Sequence, residues 1–383
     1  MKKVAVIGAG ISGLFFVNLL RKDPNYEITI YEKNNLINLE KGYGIQLSVN
    51  SIRLLNKIGF QNLNLANQFN PKKIDFYSLL KNNKICDLDI SSFNTEEAKY
   101  TTMQRSSLVE FLMEKLSSNL IQYNKIVSKI NSTTKNIELT FEDQSSAICD
   151  YLVVSDGIFS STKSLILNKD IKPRYFNSIA IRGTINKKNL NSINCSNISL
   201  FLGSNFHSVI YPVSNYNELN FIGILRKNLS EDQLEDYSLF ENKDFLSLIL
   251  SNLSNQIDQN ILSNLKNIKC FPIFISKEIY KPEQKNIFLI GDAFFAFPPA
   301  FAQGASQSIE AAFELYESLK NDSNEFINQR IKITKMINKR SKFNYFAFHL
   351  SNPFITFARD LSMRLLVKNK KFTDSYLGKI YKN

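Results

Sequence analysis

The run KVAVIGAGISGLFFVNLLR, residues 3–21, leaves a chain little freedom in how it folds. Lys2 to Ile7 reads as a short buried strand, and Gly8, Gly10 and Gly13 complete a G-x-G-x-x-G ahead of an apolar run with the length of a helix. A second strand, Glu27 to Tyr31, closes on Glu32, 19 residues after Gly13. Each part has a mechanical reason. The glycines permit a tight turn and close backbone approach, the helix N-terminus attracts a pyrophosphate, and an acid at the end of the second strand accepts ribose hydroxyls. Gly8, Gly10, Ser12, Gly13 and Glu32 therefore predict a dinucleotide site on a parallel α/β sheet. A carboxylate at position 32 repels a 2'-phosphate, which favours FAD or NAD over NADP at this site. The same run imitates a signal peptide, but its glycines fall at defined offsets and no small-residue cleavage site precedes Arg21, so it reads as folded structure.

At 383 residues the chain is long enough for more than one domain. Its 44% hydrophobic and 21% charged residues exclude disorder. The net charge of +12 would suit an anionic partner, yet there is no long Lys/Arg block and no nucleic-acid module, so an ordinary scatter of lysines is the reading and nucleic acid is not expected. Cys86, Cys149, Cys195 and Cys270 stand far apart without histidine neighbours, which argues against a zinc site or a disulfide framework. A reducing, cytoplasmic location and no metal follow as expectations.

Two further strands run into an aspartate: Tyr151 to Val154 leads to Asp156-Gly157, and Ile287 to Ile290 leads to Gly291-Asp292. In an open parallel sheet both would face the crevice that Gly8 to Gly13 opens onto. QRSSLVEFL (104–112) reads as a helix start, with Ser107 and Glu110 as a capping box and Arg105 just ahead of the first turn. Residues 176–275 alternate like sheet, as in IAIRGTI (179–185), ISLFLG (198–203), HSVIYPV (207–213) and LNFIGILR (219–226). His207, Val209 and Tyr211 then share one strand face.

With these motifs in order, the chain resembles the single-component FAD-dependent aromatic hydroxylases of the p-hydroxybenzoate hydroxylase fold, and is similar to salicylate hydroxylases and 6-hydroxynicotinate 3-monooxygenases. GYGIQLSVNSIRLLNKIGF (42–60) is similar to the segment after the ribose acid, and QRSSLVEFL to the R-x-x-L-x-x-x-L helix. DGIFSSTK (156–163) resembles D-G-x-x-S-x-x-R, and GDAFFAFPPAFAQG (291–304) resembles G-D-A-A-H-x-x-x-P-x-x-G-Q-G. The resemblance implies a Rossmann-type FAD-binding domain from residues 1–70, 101–175 and 276–325. It implies an inserted, mostly antiparallel substrate-domain sheet from 71–100 and 176–275, and a C-terminal helical region over 326–383. Bound FAD would be held by the fingerprint residues together with Lys33, Gln46, Arg105, Val127, Asp156, Gly157, Asp292, Pro299, Gly304 and Ala305, with Asp292 on a ribityl hydroxyl. His207 and Tyr211 become the catalytic candidates, as base and as the group that orients or deprotonates a substrate hydroxyl.

By the same resemblance NAD(P)H would be a transient co-substrate, and O2 would add to the flavin as a C4a-hydroperoxide that hydroxylates a small aromatic substrate. Lys163 stands where the family has Arg, keeping charge but losing the bidentate fork. Phe294 and Phe295 replace Ala-His, which predicts a more apolar flavin wall. Other flavoenzymes of this fold, such as prenyl reductases and halogenases, are the alternative, although the halogenase tryptophan motif cannot exist in a chain without Trp. A fold-retaining binding or peripheral membrane protein is the second alternative. Membrane contact is not expected, the aromatic and Lys-rich tail from Arg340 being the one place where it could arise, and the protein is expected to be a monomer or homodimer.

Overall fold

The computed structural model describes all residues except 38, 40–42, 134, 135, 191, 192, 215, 216, 255, 324 and 383, so Gly42 of the motif quoted above lies outside the described residues. Five parallel strands form the first sheet, in the order Ile287–Leu289, Tyr151–Val154, Lys2–Ile7, Tyr26–Tyr31, Ile121–Gln122. Their side chains are apolar on both faces because both faces are covered. On one side lies the helix Ile11–Leu20, in which Leu14 to Leu20 are all buried, packed against the helix Gly304–Lys320. A helix apolar all round survives only when enclosed. Each buried Leu or Phe here contributes roughly 1.5–3 kcal/mol relative to exposure. The one polar residue in its centre, Asn18, donates its amide to the carbonyls of Leu14 (2.9 Å) and Leu112 (2.8 Å). That second bond fixes the helix Arg105–Glu114 against the fingerprint helix, and so places Arg105. The opposite sheet face is covered by a three-stranded antiparallel sheet, Val127–Ser132, Ile137–Phe141 and Ser146–Cys149.

The second large sheet has seven strands, in the order Lys266–Ile275, Arg174–Asn186, Glu218–Arg226, Phe206–Pro212, Ile198–Gly203, Lys73–Ser78, Asn83–Asp89. Every pairing is antiparallel except Ile198–Gly203 with Lys73–Ser78. One face packs on the helices Lys243–Leu253 and Gln259–Ser263. The other face looks toward the parallel sheet and the C-terminal helices Phe326–Phe348 and Pro353–Leu366. The first of these is seated by Tyr345, whose hydroxyl lies 2.6 Å from Ser178 Oγ, and by Phe348 against Phe76. A small sheet of Gly44–Leu47, Thr101–Gln104 and Gln68–Phe69 carries Gln46 between the two large ones.

The α/β fold with an antiparallel second sheet and C-terminal helices is thus the one expected from the sequence. The expected capping box is not formed. The helix begins at Arg105 itself, with Gln104 as N-cap and no side-chain cap, because the strand Thr101–Gln104 runs straight into it. Ser107 and Glu110 consequently fall inside the helix, and the Arg105 N–H donates to the Tyr43 carbonyl at 3.2 Å.

Candidate functional site

Three turns meet at the carboxyl ends of the parallel strands. Gly8 adopts φ +95°, and a Cβ there would lie 2.7 Å from Asp156 Cα and 2.8 Å from the Ser155 carbonyl. A Cβ on Gly13 would sit 2.4 Å from the Gly8 carbonyl. Only hydrogen fits at these crossings, so the glycines fix how closely the fingerprint turn meets Asp156. Ser155 Oγ donates to the carbonyls of Ile7 and Gly8, both at 2.9 Å, and ties the turns together. Ser12 stands against Gly291, where a Cβ would be 2.5 Å from its Oγ. The fingerprint, the Asp156-Gly157 turn and the Gly291-Asp292 turn therefore share one junction.

Glu32 lies beside Ala9 in the fingerprint turn. Its Oε2 accepts the Ala9 N–H at 2.9 Å, while Oε1 accepts the N–H and side-chain amide of Asn34 at 3.0 and 2.8 Å. The neighbouring Lys33 is exposed. Val127 turns its side chain into the core with Tyr31 and Phe141, leaving only main chain to a ligand. Asp156 has one buried carboxylate oxygen without a partner, and burial pushes its pKa up against hydrogen bonds from Ser160 and Thr162. Gly157, at φ +85°, faces open space.

From this junction a cavity of about 880 Å³ runs between the two large sheets. The seven-stranded sheet contributes Ala180, Arg182, Leu200, His207, Val209 and Tyr211, the alternation that a strand period of two requires. Gln46 enters from the small sheet, and the loop from Ala296 to Ala305, including Pro299 and Gly304, forms the facing wall. Asp292 is open to the cavity but set deep in protein. Burial raises its carboxyl to about 6, opposed by the charges of Arg105 and Lys163. The helix Gly304–Lys320 opens at the same wall, so the unpaired N–H groups of its first turn sit beside Gly304 and Ala305.

Tyr211 is buried, and desolvation pushes its phenol up to about 12 against the influence of Arg182, Gln46 and Asn220. It is a hydroxyl donor near neutral pH, not a phenolate. His207 also lines the cavity, but the structure gives it a different part from the base expected for it. Its Nδ1 lies 2.7 Å from His349 Nε2, and burial lowers its pKa to about 3. The pair stays neutral at physiological pH, which makes His207 a hydrogen-bonding wall. Sequence reasoning missed Arg182, which stands on the Tyr211 side of the cavity with its guanidinium 5.4 Å over the Tyr43 ring. The signal for it was a charge at a cavity-facing position of an otherwise apolar alternating strand.

Two other expectations change. Phe294 and Phe295 do not line the cavity. The 3-10 turn Gly291–Ala293 aims them back into the core with Ile287 and Leu289, and the cavity wall begins at Ala296 and Phe297. Lys163 is buried and donates to the Ala293 carbonyl at 3.2 Å, so it pins the helix Ser161–Leu167, which follows Asp156, to the Asp292 turn.

The residues present fit a flavin dinucleotide. Glycine crossings leave room for a pyrophosphate, Asp156 and the Gln303 side-chain amide each hold a buried polar atom without a partner, and Asp292 faces an opening large enough for a ring system. Fold and site together define an α/β protein built on two large sheets, with a dinucleotide crevice leading into a mainly apolar cavity between them. The chain belongs to the FAD binding domain family, which it matches over residues 1–325. It is 23% identical over 372 residues to 3-amino-4-hydroxybenzoate 2-monooxygenase of Streptomyces platensis, covering 94% of this chain and 92% of that protein. It is 21% identical to salicylate hydroxylase of Pseudomonas putida, covering 84% and 78%. Among solved structures, HpxO of Klebsiella pneumoniae complexed with FAD and uric acid superimposes with a TM-score of 0.82 at 17% identity, covering 99% of this chain and 96% of that one.

Proposed function

We propose that the protein is an FAD-dependent monooxygenase that uses NAD(P)H and O2 to hydroxylate a small aromatic or related hydrophobic substrate. The observation that carries this is the continuity between the glycine junction, Asp292 and a mainly apolar cavity that Tyr211 and Arg182 line. Gly8, Gly10, Ser12 and Gly13 would hold the pyrophosphate and Glu32 a ribose. Arg105, Asp156 and Gly157 would border the pyrophosphate and ribityl chain, with Asp292 on a ribityl hydroxyl. Gln46, Pro299, Gly304 and Ala305 would frame the ring, and Lys33 and the main chain of Val127 would edge the adenosine end. Residues 1–70, 101–175 and 276–325 serve on this reading as the FAD-binding unit, and 71–100 with 176–275 as the substrate unit. When bound, the flavin takes electrons from NAD(P)H and activates O2.

What the chain itself does is position and exclude. The helix N-terminus at Gly304 sets a positive potential beside the Asp292 turn, which would favour a flavin that carries negative charge when reduced. Ile222, Leu200, Val209 and Phe297 keep water from the chamber. Arg182 attracts the anionic or oxygen-bearing edge of a substrate, and the protonated Tyr211 hydroxyl on the same side of the cavity donates to it. Neutral His207 completes the polar side without exchanging a proton near pH 7.

The test is a screen of phenols and aromatic acids for substrate-stimulated oxidation of NADH and NADPH by the yellow protein. Tyr211→Phe is expected to keep its FAD and lower kcat/KM about 10- to 100-fold. A colourless protein that FAD cannot reconstitute, or a flavin that neither nucleotide reduces with any aromatic present, defeats the proposal.

A further inference from the structure

The helix Pro353–Leu366 is amphipathic the wrong way round for a helix facing water. Its inner face carries Thr356, Arg359 and Asp360, held by specific bonds. Arg359 pairs with Asp360 at 2.8 Å and donates to the Ala347 carbonyl at 3.1 Å, and Lys81 reaches Asp360 at 3.4 Å. Arg364 Nε donates to the Ile85 carbonyl at 3.0 Å and seats the helix on the edge strand Asn83–Asp89. Its outer face carries Phe354, Phe357, Leu361 and Leu365, spaced i, i+3, i+7 and i+11 and between 49% and 86% exposed. Phe343 and Phe346 of the preceding helix, 62% and 60% exposed, line the cavity together with Leu366 of this helix, so the apolar surface reaches the mouth of the chamber. Isolated exposed apolar residues need no explanation, but a stripe of this length does.

Charge identifies what covers it. Residues 326–383 hold 13 Lys and Arg against 2 Asp, so this segment carries a net +11 of the whole chain's +12. Lys368, Lys370 and Lys371 follow the helix directly and are exposed, Lys342 precedes Phe343, and Lys81 sits 5.3 Å over the Phe357 ring. A second copy of the chain would bring two such segments face to face, and their repulsion argues against it. An anionic lipid surface takes the aromatic stripe into its acyl boundary and the lysines at its headgroups. We infer that the helix Pro353–Leu366, with Phe343 and Phe346, docks the protein on anionic phospholipid, with the cavity mouth turned to the membrane. No transmembrane segment is involved, since no helix among the described residues is long and apolar enough to cross a bilayer.

Sedimentation of the FAD-loaded full chain with vesicles tests this without any turnover assay, so it stands or falls separately from the hydroxylase reading. Vesicles of phosphatidylglycerol mixed into phosphatidylcholine are expected to carry the protein down at low salt, and pure phosphatidylcholine to carry far less. Phe354→Ser with Leu361→Ser and Leu365→Ser, all at exposed positions, is expected to weaken binding about a hundredfold while the flavin absorbance is retained. Lys368→Gln with Lys370→Gln and Lys371→Gln is expected to remove most of the preference for the anionic lipid. Binding to neither vesicle, a stripe variant that sediments like the wild type, or a dimer in analytical ultracentrifugation that the stripe variant alone dissociates, would each overturn the inference.

Discussion

Phe295→His introduces the residue that the resembled flavin motif places here, and on the geometry it acts on stability instead of chemistry. The Phe295 ring is 5% exposed, tilted against Phe297 at 5.2 Å, and embedded with Phe294, Ile287 and Leu289 behind the parallel sheet. An imidazole there loses part of the apolar burial, about 1–2 kcal/mol. It also buries two ring nitrogens among apolar neighbours, for about 1–3 kcal/mol more. A total near 3 kcal/mol corresponds to a fall in melting temperature of about 4 °C for a chain of this size. The loss deepens in acid. A buried neutral histidine has a folded pKa below its unfolded value of about 6.5, so its deficit grows as pH falls below that point, by about 1.4 kcal/mol per unit. Thermal melts of the FAD-loaded variant at pH 8 and pH 6, followed by circular dichroism and by flavin release, measure both effects. Folded variant should keep the wild-type flavin spectrum and the wild-type yield of product per NAD(P)H. Unchanged melting with altered coupling would mean that the ring faces the flavin and that the geometric reasoning is wrong.

Phe297→His is the companion case: because Phe297 lines the cavity, the imidazole can be solvated, and a shifted flavin absorbance with less than half the destabilisation is expected from the same melts. Gly8→Ala forces a Cβ to 2.7 Å from the Asp156 backbone at φ +95°, so flavin bound per chain after purification should fall at least tenfold, with a stability loss of about 2–4 kcal/mol. Asp292 has its carboxyl raised from 3.8 to about 6 by burial, so in the apoprotein its stabilising protonated form is lost as pH rises between those values. Asp292→Asn should therefore flatten the apoprotein's stability profile across that window in denaturant titrations, while weakening FAD binding at pH 7.

The parallel sheet and its glycine turns were legible because the chemistry of close approach admits so few residues. Gly8 and Gly13 sit where a single methyl would collide with backbone, and Glu32 lies where the second strand must end. The antiparallel sheet was legible from alternation, and His207, Val209 and Tyr211 do share the cavity face. Direction within loops was not. Whether Phe294 and Phe295 look at the core or the cavity depends on one 3-10 turn, Gly291–Ala293, which the string of letters does not specify. The capping role of Ser107 failed because the preceding strand, three residues back, sets where the helix begins. The histidine pairing was hidden for a third reason: His207 and His349 lie 142 positions apart and meet only through tertiary packing. The reversed face of Pro353–Leu366 was open to inspection as a periodic pattern, but which side is outward follows from Arg359 bonding the Ala347 carbonyl, Asp360 pairing with Lys81, and Arg364 reaching the edge-strand carbonyl of Ile85.

The strand order of the parallel sheet has a consequence for vectorial synthesis. Lys2–Ile7 leaves the ribosome first, yet its neighbour Tyr151–Val154 is flanked in turn by Ile287–Leu289, so the sheet closes only after three quarters of the chain has been made. Gly291 must reach Ser12, and Asp292 must take its place opposite Arg105, before the crevice exists. Cofactor capture is therefore a near-terminal event in biogenesis, and until then the nascent protein carries the apolar strand Tyr151–Val154 with one edge unpaired.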